Sequence, residues 1–251
     1  MKNKYGQLST LVYETDKPVG VSFGDVEYYL ERLRDVNGPI LEPGVGNGRF
    51  LIPLLRANKT VVGYDASPHM LEVARLALQE HQLQAELVQS DFASYQSEPR
   101  FDAIVIPAGT FQLIDSFETA CTVLSNFYQQ LNVGGRLMLD LDAAQAIFTS
   151  QPSLRKWQVG EHSMVTLAST PLSMDYANQR STELHRYELW ENGQLQRTEL
   201  EEFVLRWWSP SEISMALKLA GFVNVVVSGG YEYGRAPQSS DELISVEGTK
   251  N

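Results

Sequence analysis

Residues 40–50 read Ile-Leu-Glu-Pro-Gly-Val-Gly-Asn-Gly-Arg-Phe, an apolar run that breaks into a glycine-rich turn and then the start of a helix. Glycines at alternate positions, Gly44, Gly46 and Gly48, let the backbone approach a ligand closely and adopt positive φ, while the free N–H groups of the helix behind them bind electronegative atoms. An acid, Glu42, precedes the loop. A second, Asp65, closes the apolar run Val-Val-Gly-Tyr-Asp, where doubly wound sheets place a carboxylate to accept both hydroxyls of a ribose. A third, Asp91, ends the next run in Gln-Ser-Asp-Phe. Each acid alone is an ordinary turn or cap residue. Together, at the carboxyl ends of successive strands beside a glycine loop, they mark the crevice in which open α/β sheets bind ligands. The spacing is not that of a dinucleotide fingerprint, because the third glycine comes at Gly48 and Arg49 stands where G-x-G-x-x-G requires it. The lysine and hydroxyl pair of a P-loop is absent as well.

The elements that must position these residues are legible around them. Apolar runs at 40–42, 60–65, 86–90, 101–107 and 136–142 alternate with helical patterns, the signature of βαβ units and a parallel sheet. Ser67 and Pro68 supply an N-cap and a proline at the first helical position. Met70, Leu71, Ala74, Ala77 and Leu78 then recur at helical spacing, which predicts a helix with one buried face. Beyond residue 150 the texture becomes antiparallel. Asn192-Gly193 provides the two positive-φ positions of a type I′ turn, and setting Glu191 opposite Gln194 predicts that Glu188 faces Arg197 and Arg186 faces Glu199. Ser209-Pro210-Ser211-Glu212 reads as a capping box opening a helix over 210–220, with Gly221 as its stop. Two last strands are expected at 222–227 and 243–247.

Residues 41–48 resemble the first motif of the class I S-adenosylmethionine-dependent methyltransferases, with Pro43 where a smaller or aliphatic residue is commoner and Asn47 where Thr or Ser is usual. Residues 101–106 match that family's fourth strand, and Leu-Asn-Val-Gly-Gly-Arg-Leu at 131–137 its glycine-pair turn before the fifth. The resemblance covers residues 38–145. It implies a doubly wound, Rossmann-like seven-stranded sheet of the methyltransferase type, carrying an antiparallel β insert, and S-adenosylmethionine as cofactor with S-adenosylhomocysteine as product. By resemblance Gly44, Gly46 and Gly48 line the methionine portion, Asp65 takes the ribose hydroxyls, Met70 covers one adenine face, and Asp91 with the Phe92 backbone meets the adenine edge. Glu42, Ala66 and Pro107 complete the implied cofactor site. Residues 11–16 with 25–29 resemble the N-terminal segment that folds over the cofactor in the small-molecule group, which includes glycine, sarcosine and aminosugar N-methyltransferases. Tyr13 then reaches the cofactor. The insert, ending in Arg206-Trp207-Trp208-Ser209-Pro210, fits the same group.

The implied organisation is one methyltransferase domain: a helical cap over 1–37, a cofactor-binding core over 38–145, an antiparallel insert or lid over 150–208, and a C-terminal helix with two strands over 209–251. Methyl transfer from a sulfonium needs alignment more than a dedicated catalytic group. Tyr13 and His185 are the catalytic candidates, and His162 is the other histidine of the insert. Trp157, Trp190, Trp207, Trp208, Tyr176 and Tyr187 make the insert aromatic, as a lid or cage for a cationic acceptor would be, or as a core or dimer contact would be.

The chain has 251 residues, 43% of them hydrophobic, with 20 Lys and Arg against 31 Asp and Glu for a net charge of −11. That balance argues against an extended phosphate-binding surface and hence against nucleic acid as a partner. Residues 107–112, Pro-Ala-Gly-Thr-Phe-Gln, also lack the Asn/Asp-Pro-Pro-Tyr pattern with which some relatives handle the amino groups of bases. A single cysteine, Cys121, fits a reducing, cytoplasmic compartment, and no cysteine–histidine cluster offers a metal site. Residues 1–10 lack the apolar core of a signal peptide, and no run approaches the length of a membrane span. The expected acceptor is a small molecule, an amine among the candidates, and an exposed hairpin edge suits a homodimer. A protein or RNA methyltransferase and a non-catalytic cofactor-binding module remain as alternatives.

Overall fold

The computed structural model describes residues 5–97 and 101–251, so the first four residues of the helical cap expected over 1–37 lie outside the described residues. Helices α1 (Gln7–Asp16) and α2 (Asp25–Arg32) open the chain, followed by β1 (Ile40–Pro43), α3 (Leu51–Arg56), β2 (Val61–Asp65), α4 (Pro68–Glu80), β3 (Glu86–Gln89) and β4 (Phe101–Ile106). A short 3-10 turn (Thr110–Leu113) leads to α5 (Phe117–Gln130), β5 (Leu131–Asp142) and α6 (Ala144–Phe148). The second half holds β6 (Ser153–Gly160), β7 (Ser163–Asp175), β8 (Arg180–Glu191), β9 (Gln194–Arg206), α7 (Pro210–Leu219), β10 (Val223–Gly229) and β11 (Leu243–Thr249).

Seven strands form one sheet in the order β10-β11-β5-β4-β1-β2-β3. Strands β1 to β5 run parallel, and β11 lies antiparallel between β5 and β10. The central strands are apolar on both sides because helices cover both faces: Ile40, Leu41, Ala103, Ile104, Val105 and Ile106 are all buried. One face packs against α5 and α7 through Phe127, Leu124, Ile213 and Leu217. The other packs against α2, α3 and α4 through Tyr29, Leu33, Leu54 and Leu71. Helix α4 is opened as its sequence predicts, with the Ser67 hydroxyl accepting from the Met70 N–H at 3.2 Å and Pro68 at its first position. Its buried residues are the five apolar ones picked out by spacing.

The insert is a separate four-stranded antiparallel sheet, β6-β7-β8-β9. Asn192 and Gly193 take φ of 51° and 75°, and Glu191 pairs with Gln194, as the turn chemistry requires. The expected cross-strand charge pairs do not form. A bulge between Leu189 and Trp190 shifts the register by one residue, so Glu188 faces Thr198 and Arg186 faces Leu200. The charges pair along their own strands instead, Arg186 with Glu188 and Arg197 with Glu199. The capping box at 209–212 is half formed. Ser209 accepts from the Glu212 N–H at 3.1 Å, but the Glu212 carboxylate turns to Arg206 and Gln179, where a buried guanidinium needs an anion more than a solvated N–H does.

Helix α1 lies on the insert, with Leu8 and Val12 packed against Val165, Leu167 and Tyr187. Its N-terminal residue Gly6 offers no side-chain cap, and the cap comes from the insert: the Leu8 N–H donates to Glu199 Oε2 at 2.8 Å and the Tyr5 N–H to Glu201 Oε1 at 3.0 Å. Carboxylates at a helix N-terminus are favoured by the helix dipole as well. At the far end Asp16 accepts from Arg155 at 3.1 Å and from the Trp157 indole at 3.2 Å. Replacing Glu199 with Ala should therefore lower stability by about 1 kcal/mol, with the loss concentrated in α1. Denaturant unfolding gives the magnitude, and faster amide exchange in Gln7–Asp16 than in α4 of the same variant checks the location.

Candidate functional site

At the carboxyl ends of β1, β2 and β3 a cavity of about 310 Å³ opens between the larger sheet and α1. Its walls include Gly44 and Gly46 from the glycine loop, Asp65, Ala66, Ser67 and Met70 from the β2–α4 connection, and Ser90, Asp91 and Phe92 after β3. Tyr5 and Tyr13 close it from the N-terminal segment, and Thr110, Leu113 and Asp115 from the segment after β4.

The loop is shaped by its own contacts. Gly44, Gly46 and Gly48 all have positive φ, and a Cβ on Gly44 would stand 2.5 Å from the Thr110 methyl. The backbone is thus the only surface that fits beside the cavity at this point. Gly48 is not among the residues lining the cavity, and a Cβ there would stand 3.6 Å from Ala74 of α4. Asp65 fixes the floor, one carboxylate oxygen accepting from the Gly46 N–H at 2.9 Å and the other from the Ser67 N–H at 2.8 Å. Burial raises its carboxyl, and those N–H groups pull it back. Each oxygen keeps acceptor capacity toward the cavity. Asp91 caps its own turn through the Ala93 and Ser94 N–H groups.

Glu42 and Pro107, expected in the site, do not line the cavity. Glu42 lies beneath the loop, 1% exposed, and burial drives its carboxyl far above the carboxylate range. Its Oε2 is buried without a hydrogen-bond partner. Tyr13 stands at the cavity wall; burial raises its phenol and the Arg49 guanidinium draws it down. His185 is elsewhere. It stacks on Phe203 with ring centroids 4.7 Å apart and lies within hydrogen-bonding distance of Glu183 and Tyr187, inside the insert sheet. His162 is exposed near the far hairpin. None of the six aromatic residues of the insert lines the cavity: Trp208 sits in the core against Phe111 and Phe117, and Trp207 packs on Phe148 and Tyr176.

Several site residues escaped the sequence reading. Arg49, read only as the residue that breaks a dinucleotide motif, is buried and bonds both oxygens of Asp25 and the Val21 carbonyl, tying the loop to the N-terminal cap. Asn47 donates to Glu14 at 2.7 Å and to the Lys17 carbonyl at 3.0 Å, a second tie to α1. Asp140 on β5 is fully enclosed. It accepts from the Gly109 N–H at 2.6 Å and from the Tyr231 and Tyr29 hydroxyls at 2.9 and 3.3 Å. Ala108 and Gly109 both have positive φ, 60° and 66°, a strained turn that this carboxylate holds in place. Among the described residues no group of three or more His, Cys, Asp and Glu could hold a metal ion, and no helix is long and apolar enough to cross a membrane.

Comparison with known proteins places this geometry. Residues 40–135 match the family model of a methyltransferase domain. Over 133 residues the sequence is 29% identical to an uncharacterized methyltransferase of Bacillus cereus, a match that covers 51% of this chain and spans 58% of the relative's length. The fold is similar to that of an S-adenosylmethionine-dependent methyltransferase from Clostridium acetobutylicum, with a TM-score of 0.77 at 15% identity over 95% of this chain and 96% of that one. It is also similar to a sugar N-methyltransferase from Streptoalloteichus, with a TM-score of 0.76 at 17% identity over 96% and 91% of the two chains. The seven-stranded sheet and its insert are therefore a methyltransferase fold, and the glycine loop and the three acids lie within the residues that match the methyltransferase-domain model.

Burial raises the Asp140 carboxyl to about 6, the Gly109 N–H and Tyr231 hydroxyl opposing it. An acid raised in the folded state ionises first in the unfolded chain, so its contribution to stability is present below the unfolded value and is lost as pH rises to about 6. The loss amounts to about 3 kcal/mol. Denaturant unfolding of wild type and Asp140→Asn from pH 4 to 7.5 should show the wild type losing stability relative to the variant across that window. Parallel curves would remove Asp140 as the titrating group.

Proposed function

We propose that this chain is an S-adenosylmethionine-dependent methyltransferase acting on N or O of a small molecule. The observation that carries the reading is the cavity itself, lined by the glycine loop together with Asp65, Met70, Asp91 and Phe92. The residues fit the cofactor on physical grounds. Asp65 retains acceptor capacity for ribose hydroxyls after binding Gly46 and Ser67. Met70 and Phe92 offer apolar surface to a purine.

When bound, S-adenosylmethionine supplies a methyl group on a sulfonium, an electrophile with a good leaving group. The chain then has to orient, exclude water and admit the acceptor, work that can supply ~7–11 kcal/mol of a barrier. Tyr13 on α1 and Tyr5 just before it roof the cavity, and that helix is held at both ends by the insert. The Ala108–Gly109 turn, braced by Asp140, leads into Thr110 of the cavity wall. The sugar N-methyltransferase among the structural neighbours supports a small-molecule acceptor for this fold. The net charge of −11 supports the same choice over nucleic acid.

The test is thermal unfolding with S-adenosylmethionine and S-adenosylhomocysteine, on wild type and on Asp65→Ala. At a hundredfold over Kd a ligand adds about 2.7 kcal/mol, which raises the melting temperature of a domain this size by roughly 5–11 °C. The rise should vanish or shrink sharply in Asp65→Ala. No rise in the wild type at millimolar ligand would reject the reading.

A further inference from the structure

The segment after β4 forms one wall of the cavity through Thr110, Leu113 and Asp115, and it enters that wall by a turn in which Ala108 and Gly109 take φ of 60° and 66°. Bonds within the segment give it shape: the Thr110 hydroxyl donates to the Pro107 carbonyl at 2.7 Å, and the Gln112 N–H to the Gly109 carbonyl at 2.9 Å. They do not fix where the turn sits against the rest of the fold. Its placement matters on the cavity side, because the Thr110 methyl stands 2.5 Å from the position a Cβ on Gly44 would occupy. Wall and glycine loop approach there with no room for a side chain between them, so a shift of the turn changes the width of the cavity at its glycine-loop end.

Asp140 on β5 is the anchor. Its Oδ1 accepts from the Gly109 N–H at 2.6 Å, and its Oδ2 from the Tyr231 and Tyr29 hydroxyls at 2.9 and 3.3 Å. These partners are neutral donors, so a carboxylate only 2% exposed is held by hydrogen bonds without a cation among them. Burying a charge is the expensive way to satisfy a turn, since a neutral amide would offer an acceptor as well. What the carboxylate adds is hydrogen bonds roughly twice as strong as neutral ones. Tyr29 on α2 and Tyr231 in the connection between β10 and β11 both lie outside residues 40–135, the part that matches the methyltransferase-domain model. Tyr231 lies against Tyr28 of α2 as well, with ring centroids 5.3 Å apart.

We propose that Asp140 is a positioning residue for the cofactor, acting through the Ala108–Gly109 turn, and that Tyr231 makes the β10–β11 connection part of the same device. The inference rests on S-adenosylmethionine occupying the cavity, and it adds a residue that is not among those lining it. With the brace in place, Ala108 is kept in a left-handed conformation that an L residue rarely adopts, and Thr110 is set beside Gly44. Without the brace the turn relaxes, and only the fraction of molecules that still hold the braced shape presents the full cavity. The apparent affinity for the cofactor falls by that fraction. Ala108 is exposed, so a glycine in its place removes the backbone strain without opening a hole in the core.

The experiment measures S-adenosylhomocysteine affinity by calorimetry, with denaturant unfolding alongside, on wild type, Asp140→Ala, Asp140→Asn, Tyr231→Phe and the double variant Asp140→Ala with Ala108→Gly. Asp140→Ala should weaken binding about 10- to 100-fold, and the added Ala108→Gly should recover most of that loss. Asp140→Asn, which keeps an acceptor for the Gly109 N–H, should fall between wild type and Asp140→Ala, and Tyr231→Phe should bind more weakly than wild type. Wild-type affinity in a folded Asp140→Ala overturns the inference. So does a loss that Ala108→Gly leaves untouched, which would place the damage outside the turn. If Asp140→Ala does not fold, Asp140→Asn and Tyr231→Phe decide: weaker binding in both without a matching loss of stability supports the inference, and any other result overturns it. A wild type that binds neither S-adenosylhomocysteine nor S-adenosylmethionine rejects the cofactor reading and this inference together, whereas variants that bind as well as a binding wild type overturn this inference alone.

Discussion

Arg49 is the residue on which the arrangement of the site depends. Its guanidinium, 3% exposed, is satisfied by both oxygens of Asp25 and by the Val21 carbonyl, and it lies over the Phe23 ring. A planar, permanently charged fork suits this bidentate, desolvated setting in a way lysine would not. Removing one partner of such a pair leaves an uncompensated buried charge at a cost of roughly 3–5 kcal/mol. The pair joins the end of the glycine loop to the start of α2, and Arg49 also draws down the Tyr13 phenol on α1. Loop, cap and roof of the cavity thus meet on one cation.

The rest of the site is organised by carboxylates at strand ends, each with a different degree of commitment. Asp65 spends part of its capacity on the Gly46 and Ser67 N–H groups, fixing the floor while staying open to a ligand. Asp140 spends its capacity on the Gly109 N–H and two tyrosine hydroxyls, holding a turn that two consecutive positive-φ residues would otherwise make costly. Glu42 is buried with one oxygen unmatched. Burial alone would make all of them poor anions. The local donors decide which become scaffold and which face a ligand.

The insert contributes less chemistry and more mechanics than its aromatic content suggests. Trp207 and Trp208 are buried, while Glu199, Glu201, Arg155 and Trp157 grip the two ends of α1. A helix of this length is marginal on its own. Its position over the cavity is therefore set by a sheet whose contacts with it lie 139 to 196 residues away in sequence.

What the sequence determined is what local chemistry controls. Positive φ at Gly44, Gly46 and Gly48, the Ser67 cap with Pro68 behind it, the Asn192-Gly193 turn and the alternation of apolar runs each follow from a few adjacent residues, and together they prescribe the doubly wound sheet and its ligand crevice. Tertiary structure decided what depends on partners distant in sequence. The bulge after the hairpin turn moved the expected charge pairs out of register, since a one-residue insertion leaves no mark in an alternating polar run. His185 was captured by Phe203 and Glu183 on its own sheet, and Glu212 by Arg206. Arg49 and Asp140 read as ordinary charges along the chain. Only the folded sheet, by choosing which carboxylates find donors and which stay bare, separates the scaffold of the site from its working surface.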